Sequence, residues 1–227
     1  MEKFGFTGKM PGVADALQYE DLFIDGDDFV TTPIDDEDYA FTNATAGTMA
    51  LDPAGDNGVL LLDSNSTTVT QGCNLQRPAA SFIPKAGRTI YFETRLKLVD
   101  TFDDCEFFAG LAELDTTIIG TSAVSTGNHI AFTCVTDNGV LLSNAEKATA
   151  GTTGVGTTLA EDTWVTLGIK VNGLTDITYY VNGAAVNKIS TAANIPIVGL
   201  APSFVCQTGG TADVIMHIDY WKCAQTR

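Results

Sequence analysis

Side chains able to do chemistry are sparse in this sequence, so their placement decides what it can do. Glu113-Leu114-Asp115 sets two carboxylates two residues apart, on one face if the segment is a strand. Retaining glycoside hydrolysis uses two carboxyl groups about 5 Å apart, one as nucleophile and one as acid/base. The following Thr116, Thr117 and Ile118 bring no second glutamate. The two acids therefore read as surface or loop-capping groups, no catalytic residue is assigned, and no enzymatic activity is expected. His129 and His217 are the only histidines. Neither has a cysteine or a second histidine at the three- or four-residue spacing of a zinc site, so each reads as a strand histidine. No Gly-x-Ser-x-Gly occurs, and nothing singles out a Ser, His and acid as a triad. The glycines of Gly151 to Thr158 are spaced like a phosphate loop, but Thr157 stands where the phosphate-binding lysine is required. Asp52-Pro53-Ala54-Gly55-Asp56-Asn57-Gly58 gathers oxygens on a turn, which makes Asp52, Asp56 and Asn57 a calcium candidate. The spacing matches no EF-hand loop, and a plain turn accounts for it. No cofactor is expected.

The five cysteines, Cys73, Cys105, Cys134, Cys206 and Cys223, are far apart, and their number is odd. Scattered through apolar stretches, they read as reduced, buried thiols and not as a disulfide framework. The N-terminus shows no basic region followed by an apolar one, so no secretory signal is expected and synthesis is placed in a cytosol. Charge excludes further classes. Twenty-eight acidic against 12 basic side chains give a net charge of -16 and a pI near 4.2, which repels phosphate backbones and anionic lipid heads. Neither nucleic acid nor a membrane is an expected partner. With 44% hydrophobic residues, disorder of the whole chain is excluded as well. Half of the acids, 14 of the 28, lie between Met1 and Asp63, alongside only two basic residues, Lys3 and Lys9.

The elements that would position any site are strands. Val59 to Leu62, Thr89 to Leu98, Phe107 to Ala112, Ile130 to Val135, Trp164 to Val171, Asp176 to Val181 and Val214 to Trp221 are short, rich in β-branched or aromatic residues, and bounded by turn formers. In the second of these, Ile90, Phe92, Thr94, Leu96 and Leu98 share one face, while Glu93, Arg95 and Lys97 share the other, so one face is wet. Asn138-Gly139, Asn172-Gly173 and Asn182-Gly183 signal tight hairpins. Thr149 to Thr158 reads as a flexible loop at an edge. No helical periodicity and no internal repeat appear. A 227-residue chain of this kind is an antiparallel two-sheet sandwich or jelly roll. The division expected is an extended N-terminal arm, residues 1–27, followed by one all-β sandwich domain, residues 28–227.

Two segments carry a family resemblance. Trp164-Val165-Thr166-Leu167-Gly168-Ile169-Lys170-Val171, then a turn, then Ile177-Thr178-Tyr179-Tyr180-Val181-Asn182-Gly183-Ala184-Ala185-Val186 resembles the hairpin of concanavalin A-like (laminin-G-like) jelly rolls. There a tryptophan opens one strand and Tyr-Val-Asn-Gly-x-x-Val forms the next. The resemblance implies that Trp164 plugs the core between the sheets. The order of the upstream strands and the ending Ile218 to Arg227 is similar to the same fold. The succession as a whole resembles the jelly-roll structural proteins of tailed bacteriophages. That implies a non-enzymatic virion protein, a decoration or accessory protein on the outside of the head, made in the host cytoplasm. Its partners would be the major capsid protein and further copies of itself. The arm would make the contact through Phe4, Phe6, Leu17, Tyr19, Leu22 and Phe23. The alternative is a lectin-like carbohydrate-binding module on the head surface or a tail fibre. For that reading, Tyr39, Phe41, Tyr179 and Trp221 are the candidate platform for a glycan.

Overall fold

The computed structural model describes residues 22–29, 38–44, 46–54, 58–99, 104–121, 123–124, 127–135 and 139–227. Along the chain run β1 (Leu22–Asp27), β2 (Ala40–Ala44), β3 (Thr48–Leu51), β4 (Leu60–Asp63), β5 (Gly72–Gln76) and β6 (Thr89–Val99). They are followed by β7 (Cys105–Ala112), β8 (Ile119–Gly120), β9 (Ala123–Val124), β10 (His129–Cys134), β11 (Val140–Lys147) and β12 (Ala150–Thr158). The last five are β13 (Val165–Asn172), β14 (Asp176–Val181), β15 (Ala184–Ile189), β16 (Ala201–Thr208) and β17 (Ile215–Thr226). One sheet has eight strands in the order β15-β14-β13-β6-β17-β4-β3, with β1 also on β17. The other has seven, β12-β11-β10-β7-β16-β5-β2, and β8-β9 form a ribbon of their own. The fold is an all-β antiparallel jelly roll, as the strand pattern implies.

Alternation sets the core. On β6, Ile90, Phe92, Thr94, Leu96 and Leu98 all point inward and are at most 3% exposed. On the facing sheet, Phe107, Ala109 and Leu111 of β7 and Phe204 of β16 close over them. Each such apolar side chain contributes roughly 1.5–3 kcal/mol on burial, enough in sum to hold the sandwich without a cross-link. The five thiols lie in or against this core, and all are buried and outside any disulfide. Asn182 (φ 49°) and Gly183 (φ 79°) turn β14 into β15 with the two positive φ angles that the sequence signals there.

Three expectations are corrected. Residues 22–27 are not arm but strand: β1 pairs with β17 from Leu22↔Thr226 to Asp27↔Trp221, and the Phe23 ring lies 5.1 Å from that of Phe82. Residues 150–158 are not a loop but the edge strand β12, in register with β11. The pairs Thr152-Thr153 and Thr157-Thr158, with Val155 between them, favour the pleated backbone over a coil. Trp164 does not plug the core. Val165, Leu167, Ile169 and Val171 point inward, so the residue immediately before them points outward. Its ring carries the Arg95 guanidinium 4.4 Å above it and the Lys97 ammonium at 5.5 Å. The core tryptophan is Trp221, fully buried.

Candidate functional site

The outer face of the seven-stranded sheet holds a layer of polar side chains. Opposite pairs place Gln76 beside Ser203, Asn74 beside Val205, Gln207 beside Glu106, and Ala131 beside Asn144. Gln76, Glu106, Ser203 and Gln207 are at most 5% exposed and Asn74 is 7%. A face that would otherwise be wet is covered by the described residues between β7 and β10 (113–121, 123–124 and 127–128), here called the strap. Ile118, Ile119 and Val124 of the strap pack on Phe108, Ala112, Ala131, Val135 and Val205 as a small apolar cluster separate from the core.

The strap is held by amides. Gln76 donates to the Glu113 carbonyl (2.8 Å) and to Ser203 Oγ (2.8 Å), and its Oε1 accepts from the Asp115 amide (3.0 Å). Asn74 donates to the Asp115 carbonyl at 2.8 Å. Gln207 donates to the Gly120 carbonyl (3.1 Å) and to the Glu106 carboxylate (2.6 Å). Backbone carbonyls of the strap thus occupy the donors that this face would otherwise present outward.

Three clefts flank the strap. One, of about 420 Å³, is lined by Glu113, Asp115, Asn128 and His129 together with Leu114 and Gly199. Within it, Glu113 Oε2 accepts from the Asn128 amide (3.1 Å) and side chain (2.7 Å), and Asp115 Oδ1 accepts from the Thr117 amide (2.8 Å). Both acids therefore brace the loop, as the sequence suggests, and both also face a cleft. Burial pushes the His129 imidazole down to about 4, against a weaker upward pull from the Gly127 carbonyl, so it is neutral near pH 7. Across the strand pair from His129 stands Glu146, whose carboxyl is raised by burial. The second cleft, about 220 Å³, and the third, about 410 Å³, lie between the strap and the β2–β5 edge and share Asn74 as a wall.

The residues proposed from sequence as a glycan platform do not form one. Tyr39 is 1% exposed, and Tyr179 and Trp221 are fully buried. Phe41 is partly buried against the same core. Trp221 Nε1 donates to Tyr39 Oη (2.8 Å), whose hydroxyl donates to Asp27 (2.8 Å). Tyr179 donates to the Asn144 carbonyl at 2.6 Å. Tyr179 and Trp221 lie on the inward phase of their strands, Tyr39 stands just ahead of β2, and the polar tip of each of the three finds a partner, which is the way large aromatics are used in cores. Of the arm residues proposed as a contact surface, Phe4, Phe6, Leu17 and Tyr19 lie outside the described residues. Leu22 is in β1, and Phe23 packs on this chain's own core. Of the calcium candidates, Asp56 and Asn57 lie outside the described residues. Asp52 Oδ1 caps Ala54 (2.9 Å), and its Oδ2 lies 3.5 Å from His217 Nδ1. The strap and the amide layer were not found from sequence. Their one signal is polar residues on the outward phase of strands too apolar to be edges, Asn74 and Gln76 on β5 and Gln207 on β16.

No family model matches the sequence, and no curated protein matches it. Solved structures do. An endo-1,3-beta-glucanase from Streptomyces sioyaensis shares 11% identity at a TM-score of 0.62, covering 92% of this chain and 98% of its own. A glycoside hydrolase family 16 endo-glucanase from Bacteroides ovatus shares 14% at 0.61, covering 88% and 99%. A protein of unknown function from Shewanella oneidensis shares 16% at 0.65, covering 95% and 94%. These likenesses establish the fold, a concanavalin A-like jelly roll spanning nearly the whole chain. They also overturn the expectation of a non-enzymatic virion decoration protein: the fold recurs end to end in glucanases, and the carbohydrate-related alternative is the reading they favour. The exclusion of catalysis falls with it, for a physical reason. That exclusion searched for carboxylates along one strand, whereas a sheet also gathers acids from neighbouring strands and loops, here Glu106, Glu113, Asp115 and Glu146 on one side.

Proposed function

We propose that this chain acts on or binds a neutral, β-linked glucan-type polysaccharide, which it meets on the outer side of the seven-stranded sheet at the cleft beside Glu113 and Asp115. One observation carries the reading. The cleft is built from carboxylates, an amide and a neutral imidazole, a set that hydrogen-bonds hydroxyl groups, on a fold shared across its length with endo-glucanases. The exposed Leu114 side chain, 54% accessible at the rim, offers apolar surface to the face of a sugar ring. Hydrolysis is favoured over simple binding by the presence of two carboxyl groups in the one cleft, the minimum that acid/base work on a glycosidic bond requires.

The test is retention of the purified chain on gels containing laminarin or mixed-linkage β-glucan, with reducing ends measured on the same polysaccharides. Retention is expected, and it weakens on Asn128→Ala. If reducing ends are released, Glu113→Gln abolishes the release while leaving retention within a few-fold. Absence of both retention and release on every neutral β-glucan tried refutes the proposal.

A further inference from the structure

The strap leaves one buried amide oxygen unsatisfied, and its surroundings define a ligand. Asn74 is 7% exposed. Its Nδ2 donates to the Asp115 carbonyl, an oxygen that can only accept, so the orientation of the amide is fixed by its partner. Oδ1 then points the other way and has no donor among the described residues. A buried acceptor without a donor costs free energy until something supplies a hydrogen bond. Asn74 forms the wall shared by the clefts of about 220 and 410 Å³, and its oxygen is out of contact with water in the empty protein.

The smaller cleft states the chemistry of that entrant. Thr42, Thr70, Thr116, Thr117, Asn43 and Gln207 line it with hydroxyls and amides, while Ile118, Ile119 and Val205 give it one apolar wall. Among the described residues that line it, none is a carboxylate, a lysine, an arginine or a histidine. In a chain of net charge -16, such a pocket offers nothing to a phosphate, a metal cation or an amine. It suits a neutral ligand with hydroxyl donors and one apolar face. At Gly72, also in the lining, a β-carbon would collide with the Cys206 carbonyl oxygen of the neighbouring strand, so no side chain fits there. Its volume is that of roughly seven waters, room for one sugar ring and not for a chain of them.

We infer that the cleft between the strap and the β2–β5 edge is a binding site for a single neutral sugar ring, whose hydroxyl donates to Asn74 Oδ1. The inference deepens the polysaccharide reading above by adding a site on the far side of the strap from Glu113, and it rests on that reading only for the choice of ligand.

The experiment is an NMR titration of the full chain with glucose and with a β-1,3-linked glucose disaccharide, following the methyl groups of Ile118, Ile119 and Val205. Saturable shifts at these methyls are expected, with none from gluconate at the same concentrations. Asn74→Ala weakens Kd about three- to tenfold, the loss of one neutral hydrogen bond. Thr42→Val, which keeps strand shape and removes one hydroxyl, weakens it in the same direction without touching the strap. Binding unchanged in both variants, or shifts confined to other methyls, overturns the inference. Wild-type protein that is retained by polysaccharide yet shows no methyl shifts overturns this site and leaves the polysaccharide reading standing. Methyl shifts without polysaccharide retention do the reverse.

Discussion

Removing one oxygen atom from Tyr39 tests whether this side chain is a core anchor or a sugar platform. In Tyr39→Phe the ring stays against Phe29, 6.1 Å away between centroids, but two hydrogen bonds go. Trp221 Nε1, on a residue with no exposed surface, loses its 2.8 Å acceptor, and an orphaned buried donor costs about 1–3 kcal/mol. Asp27 loses the 2.8 Å donation from Tyr39, but it is half-buried and recovers water, so this adds about 0.5–1 kcal/mol. The sum is about 1.5–4 kcal/mol, which for a chain of this size lowers Tm by about 3–16 °C. The hydroxyl is held protonated by burial and by the Asp27 carboxylate, so the loss is the same from pH 6 to 9. Guanidinium unfolding followed by far-ultraviolet circular dichroism measures it. Trp221→Phe removes the donor itself, and the Tyr39→Phe, Trp221→Phe double variant should be less destabilised than the sum of the two singles by about 1–2 kcal/mol. A Tyr39→Phe effect within about 0.5 kcal/mol, or a strictly additive cycle, refutes the claim that this chain of bonds ties the start of the described fold to its last strand. A loss of glycan retention without a loss of stability would restore the platform.

The remaining expectations are more compact. Gln76→Met keeps length and burial but drops both of this side chain's donations and the acceptance from Asp115. Hydrogen exchange at the Asp115 amide should accelerate at least about tenfold, while amides of β6 exchange no faster than the global change in stability requires. Equal acceleration everywhere would mean that the strap does not open by itself. For His129, the folded value of about 4 lies below the ordinary 6.5, so the unfolded chain takes up its proton first as pH falls. The contribution to stability is nil well above 6.5 and is lost progressively between 6.5 and 4, by about 3 kcal/mol in all. Unfolding free energies of wild type and His129→Gln, measured from pH 7 to 4, should therefore diverge by that amount to the disadvantage of wild type. Parallel curves would contradict the burial of the imidazole. All five thiols are at most 2% exposed, so a thiol reagent should label the native protein slowly and take up five equivalents once it is unfolded. Prompt native labelling of Cys73 would mean that the β5 region opens readily.

The fold was legible because the signals that specify a sandwich are local. Alternation on Thr89 to Leu98 places five side chains inward without any knowledge of the partner strand, and Asn182-Gly183 dictates a turn from backbone sterics alone. Errors arose where a neighbour decides. Ala150 to Thr158 has glycines and threonines that suit a loop or an edge strand, and only the presence of β11 alongside makes it a strand. Trp164 and Trp221 are equally apolar, and what separates them is phase. Trp164 precedes an inward set that begins at Val165, whereas Trp221 lies on the inward set of β17 with Cys223, opposite Thr94 and Phe92. A resemblance to a hairpin motif locates a tryptophan in the chain but does not count the half-turn of the pleat that puts it inside or outside.

The site was illegible for a different reason, one that bears on how an acidic, histidine-poor chain can handle a neutral ligand. A search for chemistry in sequence looks for ionisable residues at set spacings, and here the groups that matter are amides and hydroxyls with no fixed spacing. Asn74, Gln76, Ser203 and Gln207 come from two strands more than a hundred residues apart in sequence and meet only because β16 pairs with β5. Each is nearly buried, so each must be satisfied, and the strap's carbonyls satisfy most of them. The polar layer therefore stabilises the strap for the same reason that it would bind hydroxyls: uncharged donors in a dry setting pair with whichever acceptor reaches them. Because Glu113, Leu114 and Asp115 line one cleft and Ile118 and Ile119 another, the strap that the amides hold in place is also the surface a sugar meets. On that argument a variant that loosens the strap without altering the amides, such as Ile119→Ala in the apolar cluster, should lose affinity for soluble glucan together with about 2–4 kcal/mol of strap stability. Unfolding and retention measured on the same preparation decide it. If affinity rises while stability falls, the strap is a rival for this face and not part of the binding surface.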